Sequence, residues 1–369
     1  MKKIFVSLAL LVATSVTSVF AQSPLVATLN HNDTILIYYG AEALTSAYSA
    51  SEDGDVITLS SGGFSAPSTI SKNITIRGAG MEMDTVNKVA PTILTGDFRI
   101  YSPNTGTSPT NYLTIEGVLH DGEIYYGYFY SPNYYDLKYT QFIKCRLNNF
   151  CFKSTGASAQ KTEIKEVKFI QCKIRNITAL GSATFLNCYV GAPGNAYSAG
   201  NVSSSVPQYK MSYECINCVV YGSLSPAHVH TSTFINSVLI GSKSLDETNA
   251  AYNCVGVYTT NSDTVNHTFS NLLEGLSNVC YRSVGEVFDT KTFDANGTAN
   301  YSDADTYRLL ESIRTKHLGT DGTEVGMYGG SNPFTPNNTL PKIKKFSVAP
   351  QSDGEGKLKV EIEVSAAGK

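Results

Sequence analysis

The sequence predicts an all-β fold, a solenoid of stacked strands. Three observations carry that reading. A six-residue phrase recurs, the residue types within it repeat column by column, and the composition suits strands and turns. The phrase stands as Phe142-Ile-Lys-Cys145-Arg-Leu147, Phe169-Ile-Gln-Cys172-Lys-Ile174 and Phe185-Leu-Asn-Cys188-Tyr-Val190. Weaker copies follow at Cys215-Ile-Asn-Cys218-Val-Val220, Phe234-Ile-Asn-Ser237-Val-Leu239 and Phe269-Ser-Asn-Leu272. Their first residues are separated by about 25 residues on average, within the range of one solenoid winding. The chain has 23 Tyr, 30 Gly and no Trp, with many Asn, Ser and Thr, which favours strands and turns over helices.

Aligning the copies assigns the columns. Phe142, Phe169, Phe185, Cys215, Phe234 and Phe269 form an internal aromatic column. Leu147, Ile174, Val190, Val220 and Leu239 form an internal aliphatic one. Lys144, Gln171, Asn187, Asn217, Asn236 and Asn271 fall at a bend, where Asn tolerates unusual dihedrals and its amide can bond along the stack.

The eight cysteines are Cys145, Cys151, Cys172, Cys188, Cys215, Cys218, Cys254 and Cys280. An even count in an exported chain invites a disulfide reading. Stacked in one column, however, Cys145, Cys172, Cys188 and Cys218 stand a strand spacing apart, slightly too far for relaxed bridges. A ladder of buried free thiols is expected, and Cys215-x-x-Cys218 is read as two core columns rather than a redox or metal pair.

In chain order, Met1-Lys2-Lys3 and the apolar run to Ala21 read as a secretory signal peptide. Its serines and threonines make it a poor membrane span, and no later stretch would span one. Secretion is therefore expected, to periplasm, exterior or cell surface. Thr34 to Tyr38 reads as a strand. Gly40 to Ala50, with Ala41, Leu44, Ala47 and Tyr48 at helical spacing, reads as a capping helix. Gly54 to Leu59 and Ile74 to Gly80 alternate as half-buried strands. Residues 22–336 form the solenoid, ending on a glycine-rich closing rung at Gly319 to Gly330. Residues 337–369 alternate around Ser352-Asp-Gly-Glu-Gly356 as a hairpin, either a cap or an appendage.

The run from Ala41 through Gly54-Asp-Val-Ile-Thr-Leu59 and Ile70 to Ile74-Thr-Ile-Arg-Gly-Ala-Gly80 resembles the start of right-handed parallel β-helix proteins of the pectate-lyase-like superfamily. Tyr307-Arg-Leu-Leu310 with Gly319 to Gly330 and Pro333 is similar to the closing segment of uncharacterised exported proteins of this type from Bacteroidetes. The resemblance implies a right-handed parallel β-helix, a fold that carries lyases, hydrolases, esterases, adhesins and inert spikes. Departures matter. No aspartates recur in successive rungs like the calcium site of pectate lyases, and no Asp pair matches polygalacturonases. No cofactor or metal is expected.

Candidate chemistry lies on the outward residues. Leu137 to Asn176 holds nine Lys/Arg and two Glu. The register puts Arg146 and Lys173 in one outward column, followed by Tyr189, Val219 and Val238, with Lys144 at the bend. Cations one strand spacing apart suit carboxylates along an acidic sugar chain. Tyr126, Tyr128 and Tyr130 belong to a tyrosine cluster from Tyr125 to Tyr139 whose outward members suit sugar faces, the remainder packing inside. His228-Val-His230 would share a strand face but lacks a third ligand. With 28 Lys+Arg against 31 Asp+Glu, nothing points to nucleic acid. The leading expectation is a monomeric binder of a polysaccharide or cell-surface glycan. A lyase acting by β-elimination and an adhesin-like structural protein are the alternatives.

Overall fold

The repeated phrases fold as strands that pair in parallel with the phrase before and after them. The computed structural model describes residues 25–85, 88–101, 112–126, 137–152, 164–178, 181–191, 211–222, 231–241, 249–257, 277–281, 283–289, 305–336, 342–348, 351–352, 355–357 and 360–365. Phe269, Asn271, His228, His230, Tyr128, Tyr130 and the expected signal peptide lie outside them. Two long sheets run side by side. Sheet A orders its strands Thr34–Tyr39, Val26–His31, Val56–Leu59, Thr75–Arg77, Leu113–Glu116, Leu137–Ile143, Ile164–Ile170, Gly181–Leu186, Met211–Ile216, Thr233–Ile235 and Ala250–Tyr252. Sheet B runs from Gly62–Ser65 and Thr92–Thr95 through Val118–Tyr126, Arg146–Phe152, Lys173–Thr178 and Tyr189–Gly191. It continues through Val219–Tyr221, Val238–Ile240 and Val255–Val257 to Val279–Tyr281. Pairing is parallel throughout both, except where Val26–His31 meets Thr34–Tyr39 and Val56–Leu59. This is a β-solenoid.

The column assignments hold. Phe142 aligns with Phe169, then Phe185, Cys215 and Phe234. The first three rings stack nearly parallel, with centroids 5.1 and 4.9 Å apart. Each such pair contributes about 0.5–1.5 kcal/mol beyond burial. Leu147, Ile174, Val190, Val220 and Leu239 align in the same way and are fully buried. The helix Ala43–Ala50 buries Ala43, Leu44 and Ala47 in the same core as Leu29, Ile57 and Phe64. The C-terminal hairpin pairs Lys342–Val348 with Val360–Ser365 antiparallel.

The cysteines are free thiols, and all but Cys280 are buried. Their role exceeds that of small hydrophobes. Each turn out of sheet A unpairs main-chain groups, and the thiol closes them. Cys188 Sγ accepts the Cys172 N–H at 3.3 Å and donates to the Phe169 and Leu186 carbonyls. One column position carries Ser237, whose hydroxyl accepts the Cys218 N–H and donates to Ile235 O. Burial pushes the thiol pKa up at Cys145 and Cys188, and to about 12 at Cys254.

The glycine-rich segment is not a closing rung. It runs back along the outside of the stack as a strap, against the direction of winding. The bend residues that receive it are Lys144, Gln171, Asn187, Asn217, Asn236 and Asn253, all with φ between 49 and 53°. Most of their side chains bond to the strap, in reverse order. Asn253 Nδ2 donates to Leu318 O (2.7 Å) and Asn236 Nδ2 to Thr320 Oγ1 (3.2 Å). Asn187 Nδ2 reaches Met327 O and Gly329 O, Gln171 Nε2 reaches Asn332, and Lys144 Nζ reaches Thr335 Oγ1. Along the stack itself, Asn253 Nδ2 bonds to Asn236 Oδ1. The amide ladder expected from sequence is thus mostly a strap-binding row. Glycine is required where the strap lies closest to the bend row, since a Cβ at Gly330 (φ +79) would overlap Asn217 Nδ2; within the strap itself, a Cβ at Gly329 would overlap Glu324 O.

Replacing Cys188 tests the thiol role. Cys188→Ser keeps both bonds, whereas Cys188→Val strands the buried Cys172 N–H, a loss of about 1–3 kcal/mol. Urea unfolding should place the Val variant clearly below the Ser variant. Equal midpoints would return the column to simple packing.

Candidate functional site

The outward column of sheet B is the one expected from sequence. Leu119, Arg146, Lys173, Tyr189, Val219, Val238 and Val255 align in successive rungs. Most of it, however, is covered. A second apolar core forms outside the solenoid, from Tyr189, Val219, Val238, Ile240, Val255 and Val257 on the sheet. Against them pack Met81, Val284, Val287, Phe288, Tyr307, Leu309, Ile313, Val325, Met327 and Phe334.

The expected binding residues take different places. Tyr189 is fully buried, its ring stacked on Tyr307 at 4.4 Å between centroids. Lys173 is 4 % exposed. Its Nζ donates to Glu82 Oε1 at 2.8 Å and to Asp305 O at 3.4 Å, and lies 5.7 Å from the centre of the Phe334 ring. Lys144 is half-buried and holds Thr335, and desolvation lowers its pKa. Tyr126 points inward, stacked on Phe150, where it adds to the main core. Tyr189, Lys173 and Tyr126 are thus taken up by internal packing, while Lys144 stays partly exposed at the bend.

Arg146 differs. It is half-buried, in the rung whose bend residue Lys144 holds Thr335. It lines a cleft of about 230 Å³ with Leu119, His120, Asp121, Leu147, Asn148 and Arg175. Leu147 and His120 point into the solenoid, so the outward walls are Leu119, Asp121, Arg146, Asn148 and Arg175. Asn148 lies between rungs, donating to Asp121 O at 2.9 Å and accepting from Arg175 Nη1 at 3.5 Å. The cleft therefore carries two guanidiniums from adjacent rungs, one carboxylate and one amide. His120 sits behind it, edge-on to Phe98, and donates its Nε2–H to Gly96 O. Burial lowers its pKa, which keeps the ring neutral. Beyond the cleft, Tyr125 is half-buried and aligns with Arg99.

Among the described residues, the basic stretch from Leu137 to Asn176 is divided between two sheets and a bend. Lys138 and Lys165 are neighbours on sheet A, Arg146, Lys173 and Arg175 lie on sheet B, and Lys144 lies at the bend. Sequence reasoning missed Arg175 as a partner for Arg146, because it stands two residues past Lys173 on the next rung. It also missed the covering, although a signal was present. Val219, Val238, Val255 and their inward neighbours make short strands apolar on both faces, the pattern of a sheet covered twice.

Among the described residues no group of three metal-ligating side chains comes together, and no helix is long and apolar enough to cross a membrane. Comparison of the chain with protein-family models, with curated proteins and with solved structures finds no match.

The buried ion pair gives a direct check on the reassignment of Lys173. Lys173→Ala removes the ammonium partner of the part-exposed Glu82 carboxylate and should lower stability by about 1–3 kcal/mol in denaturant titrations. An unchanged midpoint would mean that the lysine is not structural.

Proposed function

We propose that this protein is an exported solenoid that binds an acidic polysaccharide at the Arg146–Arg175 cleft. One observation carries the reading: two guanidiniums from adjacent rungs share a cleft on sheet B. Guanidinium groups bind carboxylates with paired, charge-assisted hydrogen bonds. Asp121 and Asn148 add an acceptor and an amide for sugar hydroxyls. Tyr125 offers an aromatic surface at the same level of the stack. Export rests on the signal-like sequence at 1–21. The winding is proposed to be right-handed, as nearly all parallel strand crossovers are, in keeping with the pectate-lyase-like resemblance. The surface replaces the broader one expected from sequence, which included Lys173 and Tyr189.

Affinity electrophoresis in gels containing polygalacturonate, alginate or a glycosaminoglycan tests this. Retardation is expected for at least one uronate polymer, weakening with added salt because the cleft is open to solvent. Arg146→Ala and Arg175→Ala should each weaken binding about tenfold or more, the loss of a charged hydrogen bond of roughly 1.5–3 kcal/mol. Unsaturated uronate released on incubation would identify a lyase instead. No retardation, or retardation unchanged in the double variant, would remove the cleft from consideration.

A further inference from the structure

Sheet A ends on the strand Thr34–Tyr39, which among the described residues pairs only with Val26–His31. Its free edge is a row of main-chain donors and acceptors. Protein edges of this kind are ordinarily blunted by a charge, a proline or a covering segment. This one reads Thr-Ile-Leu-Ile-Tyr-Tyr, with neither charge nor proline. Ile35 is 66 % exposed, Leu36 39 %, Ile37 52 % and Tyr39 68 %. The contrast with sheet B, whose outer apolar residues the strap covers, is sharp.

We propose that this strand is a homodimer interface, pairing antiparallel with the same strand of a second copy about a two-fold axis. The strand is self-complementary in one register. An axis perpendicular to the sheet keeps each face on its own side, and with Ile37 on the axis it sets Ile35 opposite the partner's Tyr39. Leu36 then meets the partner's Tyr38. Aromatic side chains opposite β-branched ones are favourable cross-strand pairs. The charges agree as well, since Asp33 falls opposite the partner's Ala41 and no like charges meet. An isologous contact of this kind closes after two copies, so it extends no further. Covering these side chains in both copies removes on the order of 1,000 Å² from water, the lower limit for a specific interface. The dimer is therefore weak and concentration-dependent, which replaces the monomer expected from sequence.

Sedimentation equilibrium of the full chain across the micromolar range tests the proposal. A reversible monomer–dimer equilibrium is expected, abolished by Ile37→Lys, which places two ammonium groups face to face. Met83→Lys, an exposed site outside the strand (53 % exposed), should leave it intact. The register has its own check in a Cys280→Ser background, which removes the exposed thiol. Ile37→Cys should form a disulfide-linked dimer under mild oxidation, because only the axial residue meets its own copy within bridging distance. Ile35→Cys should not. A monomer at every concentration, a dimer that survives Ile37→Lys, or equal crosslinking at positions 35 and 37 would each overturn the proposal. So would association only with a different protein's extended segment.

Discussion

One backbone requirement recurs in six successive rungs: a residue in the left-handed region where the chain turns out of sheet A. Asn accepts this conformation more readily than most side chains, and Lys144 and Gln171 adopt it in the two lowest rungs of the row. Fixing the turn at one position orders the residues after it. The next residue is the thiol or hydroxyl that closes the bend, then an outward residue, then the inward aliphatic column. The same turn aims a row of amides outward, and the strap docks against that row. The fold of the last third of the chain thus depends on a conformation repeated in the middle third.

The parts of this order that repeat were legible in the sequence. Phe142 to Phe185, Cys145 to Cys218 and Leu147 to Val190 announce themselves because stacked rungs give each column one environment. The strap was not legible as such, because its partners are far away in sequence and its glycines read as well for a final rung. Asn187 and Gly329 are more than a hundred residues apart, and nothing periodic links them. Tyr189 misled for a related reason: alternation separates inward from outward, but outward is not the same as exposed when a second layer lies above. Tyr126 misled differently, since it takes an inward place in the main core.

The strap also covers part of sheet B. With Met81, Tyr307 and the segment around Val284–Phe288 it forms the layer that turns Lys173 and Tyr189 into internal contacts, with the lysine charge answered by Glu82. Among the described residues, Arg146 and Arg175 line a cleft on sheet B. The Thr34–Tyr39 edge stands at the early end of the stack. Sequence placed Arg146 correctly on the outside. It paired Arg146 with Lys173, which is its register partner, and passed over Arg175 two residues on.

Hydrogen exchange measured by mass spectrometry tests the dependence of strap on bend row most directly. If the row of amides holds the strap, peptides spanning 319–334 and the rungs at 173–178 and 189–191 exchange slowly in the native protein. Asn187→Ala should then accelerate exchange in the strap and in Tyr189–Gly191 together, since they unfold as one cooperative unit. Fast exchange of 319–334 in the native protein beside protected rungs would contradict the account. So would an Asn187→Ala variant whose strap protection is unchanged.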